Sequence, residues 1–261
     1  MAELRRRDAS LRAHSDSQQT LLTEESPRKG SGRERVVPRR MQYGDISTVY
    51  DTMHRANAGD PLQRFLLATS DSAGPHPIRT AARKLLYYVQ YATEVHARIA
   101  WVVQGGASYM RFGDPFRPKT WLTRAADCAA AAALGWVLTK QQRARRTEFR
   151  TKLLTAVHAR LGDGARRMVE VAILMTAPEC QGRGYASALV RGATGLADAH
   201  GVGSFVVSSN VANRGFYRAC GFEIVETLWV GDEPTWDGEL VPVDLMAREL
   251  EQGRAKEAEA E

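Results

Sequence analysis

The chain reads as a mixed α/β fold, a central sheet flanked by helices, and three observations carry that reading. Residues 168–176 alternate as a strand, with Val169, Val171 and Ile173 on one face and Glu170, Ala172 and Leu174 on the other. A glycine-rich stretch, Pro-Glu-Cys-Gln-Gly-Arg-Gly-Tyr-Ala-Ser at 178–187, follows directly and turns into a helix that begins near Tyr185 and runs to about His200. Short apolar runs at 204–208, 222–226 and 241–247 then read as further strands, with a short helix at 213–219 between the first two.

The first 35 residues are polar, arginine-rich and free of aromatics, with a Pro-Arg-Lys-Gly-Ser-Gly run at 27–32. They cannot bury enough apolar surface to offset the entropy of ordering, so a disordered basic segment is expected at 1–35. Residues 36–40 suggest a short first strand, and 45–58 a helix stopped by Gly59-Asp60-Pro61. A second helix is expected at 77–96, with Tyr87, Tyr88 and Tyr91 at helical offsets. Apolar runs at 99–103 and 108–112, split by Gly105-Gly106, suggest a hairpin. From 125 to about 161 the composition is helical, first alanine-rich and then basic, with Gly135 as one candidate break. Residues 251–261 form a charged tail, which leaves 36–250 as the folded domain.

Composition narrows the function classes. The 261 residues carry a net charge of +6, but 140–167 alone holds nine Lys or Arg against two acids, so the rest of the chain is close to neutral. That basic stretch has few aromatics to stack bases, Phe149 standing alone, so a solvated helix face is favoured over a nucleic-acid surface. No apolar run approaches the ~18 residues needed to span a bilayer, and the N-terminus lacks the apolar core of a secretory signal, which suggests a soluble cytoplasmic protein. Cys128, Cys180 and Cys220 are too few and too scattered for a disulfide framework, and the six histidines show no metal-ligand spacing, so no metal is expected.

The glycine-rich stretch has the makings of a phosphate cradle. Gly182 and Gly184 can adopt backbone conformations closed to other residues, so successive N–H groups can converge on an anion at the positive end of the helix. A nucleotide P-loop is excluded, because no G-x-x-x-x-G-K-[ST] occurs, and the dinucleotide pattern fails because Ser187 stands where its third glycine belongs. Gln181-Gly182-Arg183-Gly184-Tyr185-Ala186 does satisfy Q/R-x-x-G-x-G/A, and downstream come Asn210, Tyr217 seven residues later, and then Gly221-Phe222. At these residues the chain resembles the GNAT superfamily of N-acetyltransferases, and its N-terminal order of elements is similar to fungal members.

The resemblance implies the GNAT acyl-CoA N-acyltransferase fold, acetyl-coenzyme A as cosubstrate, and direct acetyl transfer to a primary amine of a small molecule. The basic helical stretch at about 120–165 would then be an insertion between the third and fourth strands. By the same resemblance, Leu174, Met175 and Thr176 would offer backbone groups to the pantetheine arm, as a peptide adds to a sheet edge. Gln181, Gly182, Arg183, Gly184, Tyr185, Ala186 and Ser187 would wrap the pyrophosphate. Tyr217 falls where a hydroxyl protonates the departing sulfur, the alternative being a tyrosine that packs its helix on the sheet. Glu170, eleven residues before Gln181, falls where histone-acetylating members carry a general base; a structural ion pair with Arg166 or Arg167 would explain it equally. Asn210 would bond the coenzyme A arm or cap the following helix. Cys180 abuts the loop, but with no histidine nearby in sequence to activate it, an inert packed thiol is favoured over an acetyl-cysteine route. A non-catalytic acyl-coenzyme A sensor on the same fold, and a protein or peptide acetyltransferase, remain as alternatives.

Overall fold

The structure is a computed structural model that describes residues 36–72, 76–117 and 120–249. The segments expected to be disordered at 1–35 and to form a charged tail at 251–261 lie outside the described residues. Among the described residues seven strands form one sheet: β1 (Arg39–Arg40), β2 (Ala100–Val103), β3 (Ser108–Gly113), β4 (Val169–Thr176), β5 (Ser204–Ser208), β6 (Glu223–Val230) and β7 (Val241–Arg248), in the order β1-β2-β3-β4-β5-β7-β6. Every neighbouring pair is antiparallel except β4 and β5. Those two pair only from Val169 to Val171 against Ser204 to Val206. Beyond that point β4 keeps its β3 partner as far as Thr176, so its other edge is left without a strand from β5.

The expected faces of β4 do not hold along its whole length. The register against β3 passes from Arg111 opposite Ile173 to Phe112 opposite Val171, which leaves Ala172 as an extra residue in a β-bulge. One extra residue reverses the alternation of everything beyond it. Val169 and Val171 therefore enter the core with Met110 and Phe112, whereas Ile173 and Met175 pack on the opposite side with Tyr109. Glu170 shares a side with Ile173 and Met175, not with Leu174.

Among the described residues there are seven α-helices: α1 (Ile46–Ala56), α2 (Pro61–Leu67), α3 (Pro77–Ala97), α4 (Trp121–Val137), α5 (Lys140–Leu161), α6 (Tyr185–Ala199) and α7 (Arg214–Ala219). On one face α6 buries Leu189, Val190, Ala193, Leu196 and Ala197, at helical spacing, against Val169, Val171, Val206 and Met246. On the other, α1 and α3 cover β2 to β4 through Val49, Met53 and Tyr91, while α2 and α5 cover β5 to β7 through Phe65, Leu66 and Ala156.

Two helix boundaries correct the sequence expectation. Gly59-Asp60-Pro61 does end α1, but it also begins α2: the Asp60 carboxylate accepts from Gln63 N at 2.9 Å with Pro61 in the first helical position. Gly135 lies inside α4, and the break falls at Leu138-Thr139. There the Thr139 and Gln142 side chains bond each other's backbone N–H at 3.2 Å, a reciprocal cap that starts α5. Strand β6 also runs past the expected end at 226, to Val230. Among the described residues no helix is long and apolar enough to cross a membrane.

Candidate active site

Where β4 and β5 part, the sheet opens into a cavity of about 1470 Å³ that reaches from the glycine loop to the helices on the opposite face. All thirteen residues singled out in the sequence line it: Glu170, Leu174, Met175, Thr176, the run from Gln181 to Ser187, Asn210 and Tyr217.

At one end the chain folds as its glycines require. Gly182 and Gly184 have φ of +72° and +81°, in the left-handed region, and neither has an atom within 4 Å of the place a Cβ would occupy. Gly184 is the N-cap of α6 and supplies no side-chain acceptor, so the first amides of that helix are not capped by the chain's own side chain. A cradle of open glycines at an uncapped helix start fits a phosphate-bearing ligand such as coenzyme A. The Arg183 guanidinium folds back to donate to the Glu179 carbonyl at 3.0 Å and stays at the exposed rim. Gln181 Nε2 reaches the Thr176 carbonyl at 3.4 Å, tying the loop to the end of β4.

In the middle of the cavity, Leu174 to Thr176 present the strand edge that β5 leaves unpaired. Asn210 caps the turn after β5, its Oδ1 accepting from Ala212 N at 2.9 Å, so the capping role exists and Nδ2 points elsewhere for any second one. Tyr217, on α7, is 6 % exposed and packs edge-on against Phe216 and Phe222. Burial, followed by the neighbouring Cys220, pushes its phenol well above the ordinary value, so it stays protonated. Cys180 lines the cavity as a half-buried free thiol.

At the other end Glu170 is half-buried, and its side chain lies across Gly113 of β3: a Cβ there would come 3.1 Å from Glu170 Cβ and 3.2 Å from Oε2. Facing it are groups that the sequence reading left out of the site. Tyr87, Gln90 and Tyr91 come from α3, Arg111 from β3, and Arg146, Phe149 and Leu153 from α5. Tyr91 stacks on Tyr87 at 6.4 Å and meets Tyr109 edge-on at 5.5 Å. The buried Glu94 takes the Tyr109 hydroxyl, Gln90 Nε2 at 2.9 Å and, more loosely, Arg111 Nη1 at 3.8 Å.

The inward side of α5 revises the solvated-helix reading of the basic stretch. Gln142, Arg145, Phe149, Leu153 and Ala156 recur at intervals of three and four and turn toward the protein. That spacing was the available signal, hidden because two of the inward residues are polar.

Residues 116–222 match the Acetyltransferase (GNAT) family, a span that holds the glycine loop, Asn210 and Tyr217. Over those residues the chain matches a GNAT acetyltransferase domain. No curated protein matches it in sequence. Solved GNAT structures share the fold. An arylalkylamine N-acetyltransferase 2 from Aedes aegypti aligns over 82 % of this chain and 99 % of its own, at 14 % identity and a TM-score of 0.55. The Drosophila melanogaster polyamine N-acetyltransferase that forms N-acetylagmatine covers 83 % and 100 % at 15 % identity, with a TM-score of 0.52. A variant of an agmatine N-acetyltransferase, in its apo form, covers 83 % and 100 % at 16 % identity, with a TM-score of 0.50. At these identities the likeness is one of fold. The finer resemblance to fungal members in the order of N-terminal elements gains no support from these structures. The residues at the glycine-loop end of the cavity thus lie inside the family match, whereas α1, α3 and β3, which line other parts of it, precede that span.

Proposed function

We propose that the protein is an acetyl-coenzyme A-dependent N-acetyltransferase that acetylates a primary amine of a small molecule. The observation that carries this reading is the single cavity in which a glycine cradle, an unpaired strand edge, a protonated tyrosine and a carboxylate all meet. When bound, acetyl-coenzyme A supplies the thioester acyl group.

The residues present have distinct parts in this reading. The amides from Gly182 to Ser187 and the start of α6 hold the pyrophosphate, and the free edge of Leu174 to Thr176 fixes the pantetheine by backbone bonds. Binding of both reacting partners in one enclosed space does most of the work, because orientation removes the entropy cost of their encounter. Glu170 accepts a proton from the acceptor ammonium, leaving a neutral amine. Tyr217 Oη holds the proton that the departing sulfur takes. The acceptor end is walled by α3, α5 and β3, a lining suited to a small molecule rather than an extended peptide. The solved relatives named for arylalkylamines, polyamines and agmatine point the same way.

The test is incubation with acetyl-coenzyme A and a metabolite pool, followed by mass spectrometry for an added acetyl group, beside calorimetry of coenzyme A binding. Binding together with a small acetylated amine is the expected result. Binding without transfer to any amine would favour a sensor, acetylation confined to basic peptides would favour a protein acetyltransferase, and absence of coenzyme A binding would sink the reading.

A further inference from the structure

The acceptor end of the cavity holds two guanidinium groups beside the Glu170 carboxylate. Arg111 Nε is buried without a hydrogen-bond partner. Its one ion-pair partner, Glu94, is 3.8 Å away and already engaged by Tyr109 and Gln90. Arg146 projects from α5 into the same space, and its Nε is likewise buried with no hydrogen-bond partner. Among the described residues no carboxylate pairs with Arg146; its electrostatic neighbours are the Tyr87 phenol and a second cation, Arg83. Burial is the main cause that pulls its pKa below the usual arginine range, and Arg83 adds to it. Arginine does not respond to such surroundings by losing its proton, so a half-buried positive fork remains at the cavity wall.

The adjacent arginine on the same helix differs in what its remaining nitrogens meet. Arg145, 2 % exposed, donates to the carbonyls of Phe65, Ala68 and Thr235 at 2.7–2.9 Å, with Glu233 4.0 Å from its Nε. Arg145 Nε, like that of Arg146, is buried without a hydrogen-bond partner, but the other two nitrogens of Arg145 meet carbonyls of the protein. Arg146, which lines the cavity, has no such partners among the described residues, and a ligand anion is the partner that completes such a fork. With Arg111 half-answered by Glu94, Arg146 is the guanidinium without a carboxylate in ion-pair range among the described residues, which suits one carboxylate of a ligand.

We propose that the acceptor is an amino acid or close relative, an amine that also carries a carboxylate, and that Arg146 with Arg111 grips the carboxylate. This rests on the acetyl-transfer reading of the same cavity. It sets the protein apart from an enzyme for diamines or polyamines, whose second cation would be brought against the two guanidiniums.

The full chain is tested with matched pairs that differ by the carboxylate alone: arginine and agmatine, ornithine and putrescine, tyrosine and tyramine. First, in isotope-labelled protein, the Arg146 Nε–H resonance is identified by its loss in Arg146→Gln, and each compound is titrated to about 10 mM, enough to fill a millimolar site. At least one carboxylate-bearing member should move the resonance while its decarboxylated partner does not. No movement with any pair, or equal movement with both members, overturns the proposal. Second, release of coenzyme A is followed with acetyl-coenzyme A present. The carboxylate-bearing member should have the higher kcat/KM by about 10-fold or more, carried by KM. Arg146→Gln should erase that preference, and Arg146→Lys, which keeps charge and bulk, should restore part of it. Equal loss for both members of a pair would instead mark a structural role and overturn the proposal. Calorimetry separates the two readings. A resonance shift without acetyl-coenzyme A binding leaves the carboxylate site standing and removes the acetyl-transfer reading; binding without a shift does the reverse.

Discussion

At the level of single residues, Tyr217 has the environment that a proton donor needs. Its phenol is buried among Phe216, Phe222 and Cys220, and desolvation raises its pKa from the ordinary 10.0, so the proton is present at every pH at which an acetyltransferase assay is run. Tyr217→Phe keeps the ring and the packing and removes only the hydroxyl. Turnover should fall about 100-fold, within the range for loss of a positioned acid, while acetyl-coenzyme A affinity by calorimetry changes less than about twofold. Full turnover in the variant would remove the acid role. The wild-type rate should also show no descending limb from Tyr217 below about pH 10, since a raised phenol ionises only above its ordinary value. This residue was legible from sequence because its signal is a spacing, seven residues after Asn210, and spacing survives folding unchanged. Arg146 was not, because its meaning depends on which way a basic helix turns.

The elements repeat that distinction between local and tertiary information. The glycine loop and the start of α6 could be read directly, since φ values of +72° and +81° at Gly182 and Gly184 are demands that the residue type itself declares. The bulge at Ala172 could not, because it is a property of the register between β4 and β3, and strict alternation along one strand says nothing of its partner. Helix α2 was hidden for another reason: Asp60-Pro61 signals a start as well as a stop, and only the stop was read. Helix α5 provides the test at this scale. Arg145 joins it to the end of α2 and, through Thr235, to the connection between β6 and β7, with its guanidinium carbon 5.1 Å above the Trp236 ring and 5.5 Å above that of Phe65. Arg145→Ala leaves those carbonyls unanswered and opens a gap between two aromatic rings. The expected loss is about 2–4 kcal/mol, a fall in Tm of roughly 5–15 °C by calorimetry. A change under about 2 °C would mean that water replaces the guanidinium without cost.

Across the whole molecule the two faces of the sheet divide the work: α6 and α7 bring the glycine cradle and Tyr217, while α1, α3 and α5 bring the acceptor wall, with the parting of β4 and β5 joining them. Patterned motifs mark the first face and none marks the second, so the sequence indicated a donor long before anything could be said of an acceptor. The interior that results holds three buried tyrosines, Tyr91, Tyr109 and Tyr217, each with its phenol pushed up chiefly by burial, and at Tyr91 and Tyr109 also by the charge of Glu94. The consequence for stability has a definite sign. Below about pH 10 the phenols are neutral in the folded and unfolded chain alike, and the folded state bears no penalty. As pH rises past the ordinary value of 10.0, the unfolded chain releases these protons while the folded one retains them, so stability falls by up to about 1.4 kcal/mol per group for each pH unit. Three such groups would remove about 4 kcal/mol per unit, a large part of the 5–15 kcal/mol typical of a folded domain. Cooperative alkaline unfolding is therefore expected between about pH 10 and 12, with tyrosinate absorbance rising together with the loss of helical circular dichroism. Tyr91→Phe, which removes one of the three phenols and keeps its ring, should move the midpoint to higher pH. Tyrosinate absorbance that climbs fully before the helices melt would mean that these phenols ionise in place, and would refute the coupling.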